Sequence, residues 1–247
     1  MKKVIINQLD ADNYSVTEAM NSLVTNLSFS GDDIRCIQVT SRYASEGKST
    51  IACRLAKTIA GLGRSVVLLD TDLRRSEIVR KYKMDFGTPN YMGLAHYLTG
   101  QCEMDEILYE SNIDGLYYVP IGREVFSSLK LLSSPKMKAL IARLREGADM
   151  VIVDTSPAGV IVDALEVAKH CDGAMIVVGY NQGHMRELTD LKKNLERAGC
   201  PVLGTVLNAV PKEEYSSRKY YYKYKNYGGY YYRHGADGKT ERHKKEE

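Results

Sequence analysis

Over roughly the first 210 positions, short runs of valine, isoleucine and leucine alternate with longer segments whose apolar residues recur every three or four places. The short runs read as strands buried on both faces, and the longer segments as amphipathic helices. Strands are expected over residues 34–40, 65–70, 116–120, 150–154, 174–179 and 202–208, and helices over 48–62, 135–146, 163–170 and 185–198. In the last of these helices Leu188, Leu191, Leu195 and Ala198 make a single apolar stripe. Strands joined in this way by helices need right-handed crossovers. The expected fold is therefore α/β, an open, twisted, mostly parallel sheet with helices on both faces.

After Pro211 this pattern stops and Tyr, Lys, Arg and Gly take over, with almost no aliphatic residues. Such a segment has no core to bury, so the expected organisation is one domain over 1–210 and a disordered tyrosine-rich tail over 211–247. The tail holds Tyr215, Tyr220, Tyr221, Tyr222, Tyr224, Tyr227, Tyr230, Tyr231 and Tyr232, half of the 18 tyrosines in the chain. It also carries ten Lys/Arg against six Asp/Glu. Because each phosphotyrosine adds about −1.5 to −2 charge, two or three phosphates would cancel that excess and more would reverse it.

Composition narrows the classes. The formal net charge of the whole chain is only +3, so nothing global calls for nucleic acid or an anionic membrane as a partner, and no nucleic acid is expected. No apolar run approaches the roughly 18 residues of a membrane span, and the start is too short in apolar residues for a signal peptide. A cytoplasmic chain is expected. Cys36, Cys53, Cys102, Cys171 and Cys200 stand singly in apolar surroundings and read as small core residues. His96, His170 and His184 are isolated and read as structural or surface residues, and Tyr117 and Tyr118, on an expected strand, as packing residues.

The chemistry starts at Thr40-Ser41-Arg42-Tyr43-Ala44-Ser45-Glu46-Gly47-Lys48-Ser49-Thr50, between the first expected strand and helix. The Gly47-Lys48-Ser49-Thr50 ending is that of a Walker A loop, although Arg42 stands where its first glycine is usual. A loop turning from a strand into a helix N-terminus aims backbone N–H groups and the positive end of the helix dipole at one point, where phosphate can sit. Lys48 would add a point charge on the phosphates, Ser49 a hydroxyl for Mg²⁺, and Gly47 a backbone the ligand can approach closely. The stretch Glu46 to Thr50 is the expected nucleotide-contacting segment. Two further strands end in carboxylates: Asp70 and Asp72 in Val66-Val67-Leu68-Leu69-Asp70-Thr71-Asp72, and Asp154 in Met150-Val151-Ile152-Val153-Asp154. In open parallel sheets ligands bind at the C-terminal ends of strands. Ser49, Asp70, Asp72 and Asp154 are accordingly expected to surround a Mg²⁺-nucleotide, with ATP the expected nucleotide.

Gly47 to Thr50, Asp70-Thr71-Asp72-Leu73-Arg74-Arg75, Asp154-Thr155-Ser156-Pro157 and the tyrosine cluster together resemble the bacterial tyrosine kinases, or BY-kinases, of capsule and exopolysaccharide systems, within the P-loop ATPase group. Gly93 to Gly100, Leu131 to Ser134 and Asp163-Ala164-Leu165 support the resemblance. It implies an ATP- and Mg²⁺-dependent protein-tyrosine kinase that phosphorylates its own tail in trans. Lys48, Asp70 and Asp72 would be catalytic, with Asp70 orienting or deprotonating the acceptor phenol while Asp72 and Asp154 complete the metal environment. It also implies a separate transmembrane polysaccharide co-polymerase as activator, self-association, an opposing tyrosine phosphatase, and a place at the inner face of the membrane through that activator. Four departures from the family stand out: Tyr43-Ala44-Ser45 before the loop glycine, Ser156 where proline is common, Asn21 and Val24 after Glu18 where arginines are usual, and Arg123 to Phe126 in place of a proline-rich stretch. The rival readings are a partition- or septum-type ATPase switch, disfavoured by the lack of a lysine between Ser41 and Gly47, and an ATP-binding pseudokinase scaffold.

Overall fold

The computed structural model describes residues 1–9, 13–31 and 33–211. The chain divides into a unit Met1–Asn208 and a unit Ala209–Glu247, and only residues 209–211 of the second are described. All nine tail tyrosines lie outside the described residues. In chain order the elements are β1 (Lys2–Val4), α1 (Tyr14–Ser28), β2 (Cys36–Ser41), α2 (Lys48–Gly61), β3 (Val66–Asp70), α3 (Ile78–Lys81), α4 (Leu94–Leu98), β4 (Tyr109–Ser111), β5 (Leu116–Val119), α5 (Ser128–Leu132), α6 (Pro135–Gly147), β6 (Met150–Asp154), α7 (Asp163–Ala168), β7 (Gly173–Gly179), α8 (Met185–Arg197) and β8 (Val202–Asn208).

The strands form one sheet in the order β1-β4-β5-β3-β6-β2-β7-β8. All its neighbours are parallel except β4 and β5. The mostly parallel sheet anticipated from the apolar runs is thus present, with two short strands, β1 and β4, that three residues of sequence are too few to announce.

Alternation along the central strands feeds two cores. Val66 and Leu68 of β3 and Ile152 of β6 pack with Ile51, Leu55 and Ile59 of α2 and Met20 of α1 on one face. Val67, Leu69, Val151 and Val153 pack with Leu140, Ile141 and Leu144 of α6, Val167 of α7, and Leu191 and Leu195 of α8 on the other. Period two along a strand sends neighbouring side chains to opposite faces, so fully apolar strands need helices on both. The stripe expected on α8 is the face that packs, with Leu191 and Leu195 buried. Helix α6 starts with Ser134 accepting from Met137 N and Pro135 in the first turn, a start signal that is visible in the sequence. All five cysteines are free and buried, as their apolar settings predict.

Candidate active site

Strands β3, β6 and β2 are neighbours, with Asp70 in register with Asp154, and Val39 in register with Asp154. The same alternation that buries Val66, Leu68 and Ile152 against α2 turns Asp70 and Asp154 toward that helix as well. Lys48, the first residue of α2, meets them there. Its Nζ lies 3.2 Å from Asp72 Oδ2 and 3.8 Å from Asp154 Oδ2, and donates to Ser49 Oγ at 3.2 Å. The structure therefore brings Lys48, Ser49, Asp70, Asp72 and Asp154 together at the C-terminal edge of the sheet.

One ammonium faces three buried carboxylates, and the imbalance acts on Lys48, Asp70 and Asp154. Burial works against the charge on Lys48, but the pull of Asp154, Asp72 and Asp70 outweighs it and holds the amine above the ordinary lysine range. Asp70 is fully buried; burial first, and then the charges of Asp154 and Asp72, push its carboxyl up to about 8 against the pull of Ser76 and Lys48. Asp154 is raised for the same first reason, with Lys48 and the Ser49 hydroxyl drawing it back. The Asp70 carboxylate is bonded within the fold: Oδ1 accepts from Asp72 N at 3.1 Å, while Oδ2 accepts from the Ser76 hydroxyl and, at 3.3 Å, from Tyr118 Oη.

Among the described residues no three His, Cys, Asp or Glu side chains are grouped to enclose a metal by themselves. The site nevertheless suits a cation that takes few protein ligands and keeps its waters, as Mg²⁺ does. Asp154 Oδ1 is buried without a hydrogen-bond partner. Leaving a buried acceptor unpaired costs about 1–3 kcal/mol, which a cation or its water would recover.

The loop between β2 and α2 is shaped by its own side chains. Glu46 is buried, and its carboxylate accepts from Tyr43 N at 2.7 Å and from Gly179 N at 3.3 Å. It was expected among the nucleotide contacts, and its side chain is spent on holding the loop. Gly47 has φ +92°, and a Cβ there would fall 2.0 Å from Asn208 Nδ2, whose amide donates to Glu46 O at 3.0 Å. The left-handed conformation favours glycine at this point, and any Cβ would also displace the Asn208 amide from Glu46. Thr50, the last residue of the expected nucleotide-contacting stretch, accepts a hydrogen bond at its hydroxyl from Lys81 Nζ.

No family model matches the chain. It is, however, 33% identical to the tyrosine-protein kinase CpsD of Streptococcus pneumoniae over 213 residues, 85% of this chain and 91% of that one. The chain belongs to this family of bacterial tyrosine-protein kinases. The kinase domain of the Escherichia coli tyrosine kinase ETK superposes with a TM-score of 0.75 at 27% identity, over 83% of this chain and 80% of that one. The septum site-determining protein MinD of Pyrococcus horikoshii, complexed with Mg-ADP, shares the fold at a TM-score of 0.59 and 23% identity, over 72% of this chain and 74% of that one. The family serves capsule and exopolysaccharide systems, and its P-loop ATPase fold implies nucleotide binding. No described helix of the kinase is long and apolar enough to cross a membrane.

Several residues that shape this site carry no sequence signal. Ser76 meets Asp70 because the chain turns back after β3, and Tyr118 because β5 pairs with β3. Tyr118 is buried, as a packing residue should be, but its hydroxyl is part of the site. Asn208 reads as no more than the end of a strand until β8 is placed beyond β7, beside the loop.

Ser45 occupies the left-handed region at φ +65°, where serine is strained by about 1 kcal/mol and glycine is not. Ser45→Gly is expected to stabilise the kinase by roughly 0.5–1 kcal/mol in urea unfolding, with nucleotide binding kept. A loss of stability would mean that the Ser45 side chain supports the loop.

Proposed function

We propose that the kinase transfers the γ-phosphoryl group of ATP to tyrosines of its own C-terminal cluster, Tyr215, Tyr220, Tyr221, Tyr222, Tyr224, Tyr227, Tyr230, Tyr231 and Tyr232, acting in trans between copies. The observation that carries this reading is the position of the Lys48 ammonium, at the first turn of α2 and in ion pairs with Asp72 and Asp154. A triphosphate approaching the N–H groups of the loop and first turn would draw Lys48 onto its own oxygens, since phosphate is the stronger anion. Ser49 and Asp154 would hold Mg²⁺, with Asp72 and Asp70 in the surrounding shell. The metal, when bound, supplies positive charge on the phosphates. The Mg-ADP of the related MinD fold supports this choice of cofactor.

Asp70 would orient the acceptor phenol and take its proton. A free phenol has a pKa near 10, so positioning and charge neutralisation must do most of the catalysis. Tyr118 and Ser76 would fix the Asp70 carboxylate for that role. A transmembrane polysaccharide co-polymerase would act as activator and bring the kinase to the inner face of the membrane, with a tyrosine phosphatase reversing the modification.

The test is to incubate the full chain with Mg²⁺ and γ-labelled ATP, with and without the cytoplasmic segment of the activator, and to map the label. Label on the tail tyrosines supports the kinase. Release of free phosphate with no labelled tyrosine would make the protein a switch of the septum or partition kind, and intact binding without either would make it a scaffold.

A further inference from the structure

Tyr43 lies in the phosphate loop, five positions before Lys48, and remains partly exposed at 36%. Its phenol donates to Glu187 Oε1 at 2.7 Å, tying the loop to the first turn of α8. Glu187 is itself held, since its other oxygen accepts from His184 N at 3.4 Å at the helix start. The backbone of Tyr43 is equally constrained: its N–H donates to Glu46 at 2.7 Å and its carbonyl accepts from Ser41 Oγ at 2.6 Å. A displacement of the phenol therefore reaches Glu46, which borders Gly47 and Lys48.

Beside this latch stands a cation with spare hydrogen-bonding capacity. The Arg42 guanidinium carbon lies 5.4 Å from the centre of the Tyr43 ring, and Nη1 donates to Gly159 O at 2.7 Å. Arg42 Nε is buried and has no hydrogen-bond partner.

We propose that Tyr43 is a further phosphoacceptor of this kinase, modified by a second copy, and that its phosphate opens the Tyr43–Glu187 latch and weakens nucleotide binding. This rests on the tyrosine-kinase reading above. In the step, Tyr43 Oη of one copy bonds to the γ-phosphorus of ATP held by another and the bond to the β–γ bridging oxygen breaks. ADP leaves, and the phenolic proton passes to a carboxylate of the donor copy's site. The product places about −1.5 to −2 charge where a hydrogen bond to a carboxylate had been. Glu187 cannot accept from a phosphate and repels it, while Arg42, with its unpaired Nε–H, attracts it. The loop is pulled toward Arg42, and Glu46 follows through the Tyr43 N–H.

Two arms test this with the full chain. In the first, the kinase is incubated with Mg²⁺ and ATP, phosphopeptides are mapped, and affinity for a fluorescent ADP analogue is measured before and after phosphatase treatment. Phosphate on Tyr43, with affinity about ten-fold weaker, restored by phosphatase, and unchanged by ATP treatment in Tyr43→Phe, is the expected result. Label on the tail with none on Tyr43, or on Tyr43 without a change in affinity, overturns the proposal and leaves the kinase reading standing. Label nowhere overturns both. In the second arm, which needs no kinase activity, Tyr43→Glu should bind the ADP analogue about ten-fold more weakly than Tyr43→Gln. Equal affinities for that pair overturn the latch.

Discussion

Lys48→Met is expected to abolish labelling of the kinase by ATP, with a fall in rate on the order of 10²–10³-fold or more, comparable to removal of a preorganised transition-state donor. The same substitution should have a second, separable effect. Asp72 and Asp154 are buried, and Lys48 at 3.2 and 3.8 Å is the cation between them. Removing one partner of a buried ion pair leaves the other charge uncompensated, at a cost of about 3–5 kcal/mol. Asp154, whose carboxyl burial already raises, can escape that cost by taking up a proton, so the destabilisation of Lys48→Met should be large near pH 8 and shrink near pH 5. Chemical denaturation at the two pH values checks this, and an equal loss at both would show that the lysine's packing, not its charge, had been holding the site.

Asp70→Asn should move activity and stability in opposite directions. Activity is expected to fall on the order of 10²-fold, because an amide cannot accept the phenolic proton. Stability is expected to rise. The folded protein holds the Asp70 proton up to a pKa of about 8, whereas the unfolded chain releases it near 3.8. Between those values the unfolded state binds fewer protons, so this carboxyl's contribution favours the fold below about pH 4 and is lost as pH rises to about 8. The asparagine variant does not titrate. Its advantage over the wild type should be small near pH 4 and reach roughly 2–5 kcal/mol by pH 9. If unfolding midpoints show the variant less stable at pH 9, then Asp70 is stabilised as an anion, and the balance of burial against Lys48 drawn above is reversed. Such a gain on neutralisation is expected where stability has been given up for chemistry.

Much of this architecture could be read directly. The runs that became β3 and β6 are short, wholly apolar and rich in valine, as a strand buried on both faces requires, and their terminal aspartates then had to lie at the C-terminal edge of the sheet. The Gly47-Lys48-Ser49 step and the capping residues of α6 are local signals, set by backbone conformation within a few residues. The site was harder to read wherever a residue acts across the sheet. Glu46 adjoins Gly47 along the chain, but only the placement of β7 brings the N–H of Gly179 to its carboxylate. Tyr118 looked like packing because its strand neighbours are apolar, but parallel pairing of β5 with β3 sets its hydroxyl against Asp70.

Periodicity and turn chemistry are properties of neighbours along the chain, and so the sequence alone determined the fold class, the turn at Gly47 into α2 and the edge of the sheet that carries the carboxylates. Which strands are adjacent depends on crossovers that join residues tens of positions apart. The tertiary structure alone decided that one lysine would serve two carboxylates, that burial would raise the Asp70 carboxyl, and that Asn208, Ser76 and Glu187 would reach the site. Burial and the distance between charges set those outcomes, and both exist only once the sheet has closed over the helix.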